Sequence, residues 1–285
     1  MTNTEILVTG ATGNVGSEIA RQLLQKKIPF RAFTRDAAKL TSMIGEKGYD
    51  LAKGDFSDAA SFRTALKGIT KLFLVTNQSD AFLHDLDRLL ADMKTAGVKQ
   101  LVLISAECDI DSEIFFVRRT AEIEALVRAS SIAFTIMRPD WFMQNFIGFA
   151  AMGLIAFVDG PGKTSFVDVR DVAEIAVKAL TEDSHQGRTY RLTGPDPMTF
   201  KRAAERISKA LGREIPFMAL TPDQLREGMI ASGAEPWYAD MNAEMTFGIR
   251  GGFTFNPAND FEFLTGRKTR SLETFVADHK AAFGA

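Results

Sequence analysis

The first half of the chain alternates short runs of apolar, β-prone residues with longer stretches in which apolar residues recur every three or four positions. The short runs predict strands at residues 6–9, 30–34, 49–53, 71–76, 100–105 and 133–138. The longer stretches predict amphipathic helices, the first of them over residues 14–27. Strands that alternate with helices are typical of parallel βαβ units, so the pattern predicts an α/β fold with a doubly wound parallel sheet.

After residue 139 the pattern becomes less regular. Helical periodicity returns at residues 169–180, 200–211, 222–230 and 272–283, with one β-like run at 189–193. We therefore expect a first domain over residues 1–153 and a smaller, helix-rich C-terminal lobe over 154–285, some segments of which return to the first domain. The uncharged segment 141–158 is interrupted by Gln144 and Asn145 and is shorter than the roughly 20 residues of a spanning helix, so no membrane segment is predicted.

Three glycines spaced three residues apart lie between the first predicted strand and the first helix, in Val-Thr-Gly-Ala-Thr-Gly-Asn-Val-Gly at 8–16. Gly10 permits a tight turn, Gly13 lets backbone N–H groups approach a pyrophosphate, and Gly16 allows the helix to pack closely on the strand. The N-terminus of the following helix favours phosphate through its N–H groups and its dipole. The turn therefore predicts a Rossmann-type dinucleotide site formed by Gly10, Thr12, Gly13, Asn14, Val15 and Gly16.

The end of the second predicted strand distinguishes NADP from NAD, because an arginine there pairs with a 2′-phosphate whereas an acidic group binds the ribose hydroxyl. The sequence has Arg35 at this position and Lys39 one helical turn later. Asp36 is placed to cap the next helix, which is a common role for aspartate. These residues predict a preference for NADP(H), with NAD(H) left open as an alternative.

Composition and charge exclude several other classes of protein. The chain has 34 Lys and Arg against 36 Asp and Glu, so no basic surplus indicates a nucleic-acid partner. One cysteine excludes an internal disulfide, and the three histidines lie too far apart in sequence for metal-ligand spacing, so no metal site is predicted. No signal peptide is recognisable, and we expect a cytoplasmic location.

These residues together resemble the NmrA-like family of atypical short-chain dehydrogenases/reductases, which includes quinone oxidoreductases. The resemblance rests on the glycine turn at 8–16, Thr34-Arg35, Gly54-Asp55-Phe56, the run at 122–139, the run at 166–173 and Thr265-Gly-Arg267. It implies further cofactor contacts after the third to sixth strands. The implied positions are Asp55 and Phe56 by the adenine, Thr76, Asn77 and Gln78 along the ribose and pyrophosphate, and Ser105 and Pro139 near the nicotinamide.

The chain departs from ordinary short-chain reductases in lacking their Tyr-x-x-x-Lys pair, in which lysine helps tyrosine to exchange a proton. The helix after the fifth strand contains no Tyr, His or Lys between residues 115 and 124. Relatives with Lys or His in this helix would place it at Thr120, and threonine is a poor acid. A literal match at Tyr49 and Lys53 falls in the third strand region and is interpreted as accidental, so the catalytic residue stays unknown.

The missing acid favours acceptors whose reduced form needs no placed proton donor, such as a quinone or an azo compound. Aromatic and Met side chains directly after Pro139 provide candidate apolar walls for such a small aromatic substrate, with core packing as the alternative: Trp141, Phe142, Met143 and Phe146. We therefore predict an NADPH-dependent oxidoreductase that transfers a hydride to an aromatic acceptor.

Two other functions stay open on the sequence alone. A non-catalytic NADP(H)-binding redox sensor that regulates a protein partner would explain Thr120, and a sugar-nucleotide epimerase shares the glycine turn but normally needs the tyrosine–lysine pair. The natural substrate and the oligomeric state are left open.

Overall fold

The computed structural model describes residues 4–253 and 257–284. Over these residues the chain forms two compact units, each assembled from separate segments. The first unit comprises residues 4–110, 119–138 and 169–190. The second unit comprises residues 111–118, 139–168 and the described part of 191–285. The chain therefore leaves the first unit and returns to it before the second unit is complete.

The strands are β1 (Ile6–Val8), β2 (Phe30–Thr34), β3 (Asp50–Lys53), β4 (Lys71–Leu74), β5 (Gln100–Ile104), β6 (Ala133–Pro139), β7 (Ile155–Val158), β8 (Arg188–Leu192) and β9 (Phe217–Leu220). The α-helices before residue 190 are α1 (Asn14–Gln25), α2 (Ala37–Ile44), α3 (Ala59–Ala65), α4 (Asp80–Ala96), α5 (Phe115–Ala129), α6 (Asn145–Ala151) and α7 (Val169–Thr181). Those that follow are α8 (Phe200–Leu211), α9 (Pro222–Ala231), α10 (Pro236–Arg250), α11 (Asp260–Thr265) and α12 (Leu272–Asp278).

The described strands include a seven-stranded sheet in the order β3-β2-β1-β4-β5-β6-β8. Successive pairs from β3 to β6 are parallel, with Ile6 opposite both Phe30 and Lys71. The predicted α/β fold and its first six strands are confirmed, and the run predicted at 189–193 is β8, which joins this sheet beside β6. Strand order reverses at β1, and the crevice beside such a point is where open α/β sheets bind ligands.

The first unit is held together by helices that bury one apolar face on the sheet. In α1 the buried residues include Val15, Ile19 and Leu23, as expected of an amphipathic helix. The helix packs against α7, and the Gln22 amide donates to the carbonyl of Arg170 at 3.0 Å. This packing fixes α1, and with it the turn that precedes α1.

The second unit has an aromatic core. Phe200 stacks on Phe157 with ring centroids 4.1 Å apart, and Phe146 and Phe166 meet edge to face at 4.7 Å. The two-stranded parallel sheet β7–β9 and helices α8 and α12 surround these rings. Much of the chain's Phe content is therefore core packing, as in the cluster around Phe33 of the first unit.

Candidate functional site

The turn between β1 and α1 has the backbone geometry expected of a phosphate-binding loop. Gly10 has a φ of +59°, and a Cβ at this position would collide with Val75. A Cβ at Gly16 would collide with the carbonyl group of Gly10. The conformational roles predicted for Gly10 and Gly16, a tight turn and close packing of the helix, therefore agree with the structure.

The N-terminus of α1 offers its backbone to an anion. No side chain caps the helix at Gly13, and no acidic residue lies in its first turn. The first N–H groups of a helix have no acceptor within the helix, so they and the helix dipole favour a bound phosphate. Thr12 is half-buried and Asn14 is exposed at this end, whereas Val15 is buried and could contribute only its backbone.

A threonine that sequence reasoning missed fixes the turn to the neighbouring strand. The Thr9 hydroxyl donates to the carbonyl of Phe73 at 2.8 Å and accepts from the N–H of Val75 at 3.0 Å. Thr9 is fully buried, so these two hydrogen bonds satisfy its polar atom. The turn is therefore tied to β4 as well as to β1.

Arg35 and Lys39 lie just beyond the carboxyl end of β2 and are exposed. The Arg35 side chain is 82% exposed, and its Nε lies 3.5 Å from an oxygen of Asp55. Asp36 accepts from the N–H of Lys39 at 2.9 Å, which confirms its predicted role as the cap of α2. The guanidinium group is therefore accessible to a ligand.

The two positions after β3 differ in their surroundings. The Asp55 carboxylate accepts from the Ser57 N–H at 2.9 Å and from the Ser57 hydroxyl at 2.7 Å, and these bonds lower the pKa of Asp55. Phe56 packs edge to face against Phe62 and Phe82. Asp55 is thus a fixed negative charge, and one part of Phe56 belongs to the core.

The loop after β4 is organised by a local turn. The side-chain oxygen of Asn77 accepts from the N–H of Ser79 at 3.0 Å and from its hydroxyl at 2.6 Å. Ser79 in turn caps α4. Thr76 and Gln78 flank Asn77 and are half-buried. Because β1 to β5 pair in parallel, the residues predicted to contact the cofactor after these strands follow one edge of the sheet.

A buried charge cluster that sequence reasoning missed lies at the same edge, behind Ser105. Glu124 of α5 is 3% exposed, and its carboxylate accepts from Arg138 Nε and Nη2, both at 2.8 Å. The Ser105 hydroxyl donates to Glu124 Oε1 at 2.7 Å, and Arg128 Nη2 donates to Oε2 at 3.1 Å. The signal in the sequence was an arginine near the end of a largely apolar strand.

The charge of Glu124 is held by its donors. Burial alone raises the pKa of this carboxyl, but the hydrogen bonds from Arg138 and Ser105 outweigh burial and hold the pKa below its ordinary value. Glu124 is therefore a carboxylate at neutral pH. Burial and the nearby Glu124 charge raise the pKa of the Cys108 thiol to about 12, so this thiol stays protonated and is a poor nucleophile.

The structure separates the accidental Tyr-x-x-x-Lys match from α5. Lys53 ends the edge strand β3, which lies four strands from β5, or about 19 Å at a spacing of ~4.8 Å per strand. The Tyr49 hydroxyl donates to the carbonyl of Gly45 at 2.9 Å. Thr120, at the position where relatives would carry a basic residue, is buried in α5 one turn before Glu124.

The residues predicted to contact the substrate belong to the second unit. Met143 and Phe146 are each 1% exposed and pack within its aromatic core, where an adjoining ligand would meet little of their surface. Trp141 and Phe142 are half-buried, and Trp141 packs edge to face on Phe157 and Phe200. Pro139 is the buried last residue of β6.

The described residues contain neither a metal-binding cluster nor a helix that could span a membrane. Among residues 4–253 and 257–284, no group of three or more His, Cys, Asp or Glu side chains could hold a metal ion. In the same ranges, no helix combines the length and the apolar character needed to cross a membrane.

Comparison with known proteins gives matches that span nearly the whole chain. A family model described as the NmrA-like family matches residues 2–262. An NAD(P)H azoreductase of Xenophilus azovorans is 34% identical, over 98% of this chain and 99% of its own. A (4-alkanoyl-5-oxo-2,5-dihydrofuran-3-yl)methyl phosphate reductase of Streptomyces griseus is 35% identical, over 98% of this chain and 99% of its own.

A similar solved structure is the NADPH-dependent quinone oxidoreductase of Escherichia coli in complex with NADPH. The two structures superpose with a TM-score of 0.81 at 25% sequence identity. The alignment covers 96% of this chain and 99% of the other. The likeness therefore includes both compact units.

Proposed function

The chain belongs to the NmrA-like family, and we propose that it is an NADPH-dependent oxidoreductase that reduces a small aromatic acceptor such as a quinone. The observation that carries the proposal is the turn at Gly10–Gly16. Its residues Gly13 and Asn14 are exposed at the N-terminus of α1, and an added Cβ would collide with Val75 at Gly10 or with the Gly10 carbonyl at Gly16. Such a turn fits a pyrophosphate, and the accessible Arg35 beyond β2 fits a 2′-phosphate. The full-length matches to reductases support the same conclusion.

The residues proposed to hold NADP(H) lie in three groups along the edge of the sheet. The turn would bind the pyrophosphate through Gly10, Thr12, Gly13, Asn14, Val15 and Gly16. Arg35 and Lys39 would pair with the 2′-phosphate, beside Asp55 and Phe56. The remaining positions would follow the nicotinamide half of the cofactor: Thr76, Asn77, Gln78, Ser105 and Pro139. When bound, NADPH supplies the hydride; the chain supplies binding and orientation.

The acceptor class follows from the absence of an acid at the positions that ordinary relatives use. Thr120 is a poor proton donor, and Glu124 is held ionised by Arg138. An acceptor that becomes a delocalised or weakly basic anion on reduction can take its proton from water. Quinones and azo compounds satisfy this condition, whereas a simple ketone does not.

Only two of the four side chains predicted to contact the acceptor keep exposed surface for it. Trp141 and Phe142 keep exposed area that a flat ring could contact. The buried Met143 and Phe146 would support these two residues.

The proposed location of the protein is the cytosol.

The cofactor proposal is tested by fluorescence titration of the full-length protein with NADPH and NADH. Arg35→Asp should weaken NADPH at least tenfold and leave NADH nearly unchanged, because a charge-assisted contact to phosphate is replaced by repulsion. Lys26→Asp, which makes the same charge change at the opposite end of α1, is the matched control. Equal losses for both cofactors would show that Arg35 does not read the 2′-phosphate.

The reaction is tested by NADPH oxidation with a quinone, an azo dye and an alkanoyl-furanone phosphate. Turnover with the quinone or the dye is the expected result. Turnover with the furanone alone would move the substrate class away from aromatic acceptors. Tight NADPH binding with no turnover, together with different affinities for NADPH and NADP⁺, would instead support the redox sensor.

A further inference from the structure

The Ser105 hydroxyl has one hydrogen, and the distances from its oxygen indicate which acceptor receives that hydrogen. The hydroxyl lies 2.7 Å from Glu124 Oε1 and 3.5 Å from the carbonyl of Ala106. The shorter contact is to an ionised oxygen and is the stronger bond. Ser105 also donates its backbone N–H to the Met137 carbonyl at 2.8 Å, so its main chain is fixed to β6. With its hydrogen used, the oxygen keeps only acceptor capacity for a ligand.

Glu124 cannot act as the donor in its hydrogen bond with Ser105. Both of its oxygens are held by the planar fork of Arg138, and its side chain is 4% exposed. A protonated Glu124 would lose these two charge-assisted bonds, so the carboxyl has no hydrogen to offer to Ser105. Arg128 approaches the same carboxylate from the solvent side, with its own side chain 41% exposed.

The sheet places Ser105 on the path of one end of a dinucleotide. The phosphate-binding turn follows β1, and the adenosine-side residue Arg35 follows β2. The other half of the dinucleotide must extend in the opposite direction, over β4 and β5. Ser105 directly follows β5, two strands or about 10 Å across the sheet from the turn. A nicotinamide ring carries a carboxamide whose N–H groups need acceptors.

We propose that Glu124 is a positioning residue: it takes the Ser105 hydrogen and thereby fixes Ser105 Oγ as the acceptor for the carboxamide N–H of a bound nicotinamide. The inference rests on the proposed function, since it requires NADP(H) to bind along this edge. It also gives Ser105 a role other than acid catalysis. Ser105 orients the ring that carries the hydride and does not supply the proton.

The test compares binding of NADP⁺ with binding of its acetylpyridine analogue, in which a methyl group replaces the amide nitrogen. This analogue keeps the carbonyl and the phosphates but has no N–H to donate. Wild-type protein should bind NADP⁺ about three- to tenfold more tightly, the range expected for one hydrogen bond. In Ser105→Ala and in Glu124→Leu, which offers Ser105 no acceptor, the ratio of the two dissociation constants should fall towards one, and the double variant should show no further change.

Arg128→Gln is the matched control, because it removes one donor from the same carboxylate and leaves Ser105 and Arg138 in place. Its ratio should remain at the wild-type value. A purely structural role of Glu124 would weaken both ligands together and leave the ratio unchanged, which would overturn the proposal. So would a ratio lost in Ser105→Ala but kept in Glu124→Leu. The Ser105→Ala result stands even if Glu124→Leu does not fold: an unchanged ratio in Ser105→Ala overturns the proposal.

The same test distinguishes failure of the proposed cofactor from failure of the role proposed for Ser105 and Glu124. A wild-type protein that binds neither ligand would overturn the proposed cofactor and this inference with it. A wild-type protein that binds both ligands equally would overturn only the role of Ser105 and Glu124.

Discussion

Each compact unit contains an arginine that holds a carboxylate through two parallel hydrogen bonds. In the first unit Arg138 donates two hydrogen bonds to Glu124, both at 2.8 Å. In the second unit Arg206 of α8 donates two to Glu273 of α12, at 2.6 and 2.7 Å. The geometry is nearly the same, but the side chain of Glu124 is 4% exposed and that of Glu273 is 47% exposed.

The difference in burial corresponds to different roles of the two arginine–carboxylate pairs. Arg206 also contacts Asp196, so the second pair is part of a solvent-facing network that joins two helices. The first pair is enclosed, and Ser105 is its additional donor, at the edge of the sheet where ligands bind. A bidentate contact is therefore not by itself a sign of function. Burial together with a polar side chain that faces a ligand is a better sign.

Removal of the two carboxylates should have unequal effects on stability, and this is the largest effect that we expect. Glu124→Ala removes the bidentate partner of Arg138 and leaves it the more distant Glu107, at 3.6 Å, so it should lower the free energy of unfolding by about 3 kcal/mol. Glu273→Ala should cost about 1 kcal/mol or less, because solvent screens an exposed pair. Urea unfolding at neutral pH measures both. Equal losses would contradict the distinction drawn between the two pairs.

The two units also differ in how a glycine-to-alanine substitution should change the free energy of unfolding. Gly16→Ala should destabilise the first unit by about 1–3 kcal/mol, since the new methyl group collides with the Gly10 carbonyl, and should weaken NADPH binding with it. Gly228→Ala, in α9 of the second unit, meets open space and should stabilise by about 0.5 kcal/mol through helix propensity. The measurements are urea unfolding and NADPH titration; a neutral Gly16→Ala would refute the requirement for close packing.

The smallest expected effect is a pH dependence. The hydrogen bond from Arg206 lowers the pKa of Glu273, so the contribution of this carboxylate is present above the unfolded-state pKa of about 4.3. It is lost as the pH falls through the lower folded-state value. The stability difference between wild type and Glu273→Gln, about 1 kcal/mol or less at pH 7, should therefore vanish in acid. Glu214→Gln, which removes an exposed charge from the same unit, controls for net charge.

Sequence predicted the first unit better than the second for a physical reason. Strands such as β1 and β5 are buried almost throughout, so they appear as continuous apolar runs between amphipathic helices. In contrast, β9 and α10 expose residues such as Met218 and Phe247, and their pattern follows neither periodicity cleanly. β9 and α10 were therefore not predicted, and the short elements α6, β7 and α11 were not predicted either.

The candidate site divides in the same way. The glycine turn could be predicted because it depends on local backbone geometry, which residue types within nine positions decide. The Ser105–Glu124–Arg138 cluster depends on where α5 and β6 pack, and its successive members are 19 and 14 positions apart. The burial of Met143 and Phe146 likewise depends on the rings around them. No local pattern shows such packing.

The discontinuity of the first unit has a consequence for how the protein folds during synthesis. The hydrogen bond between Gln22 and Arg170 joins residues 148 positions apart, so α1 cannot reach its packing partner until α7 has been made. At about 5–20 residues per second, the surface of α1 that packs on α7 stays uncovered for roughly 7–30 s of synthesis. The segment 139–168 emerges during this interval but cannot complete its own aromatic core before α8 and α12 follow. We expect the nascent chain to depend on chaperones most strongly in this period.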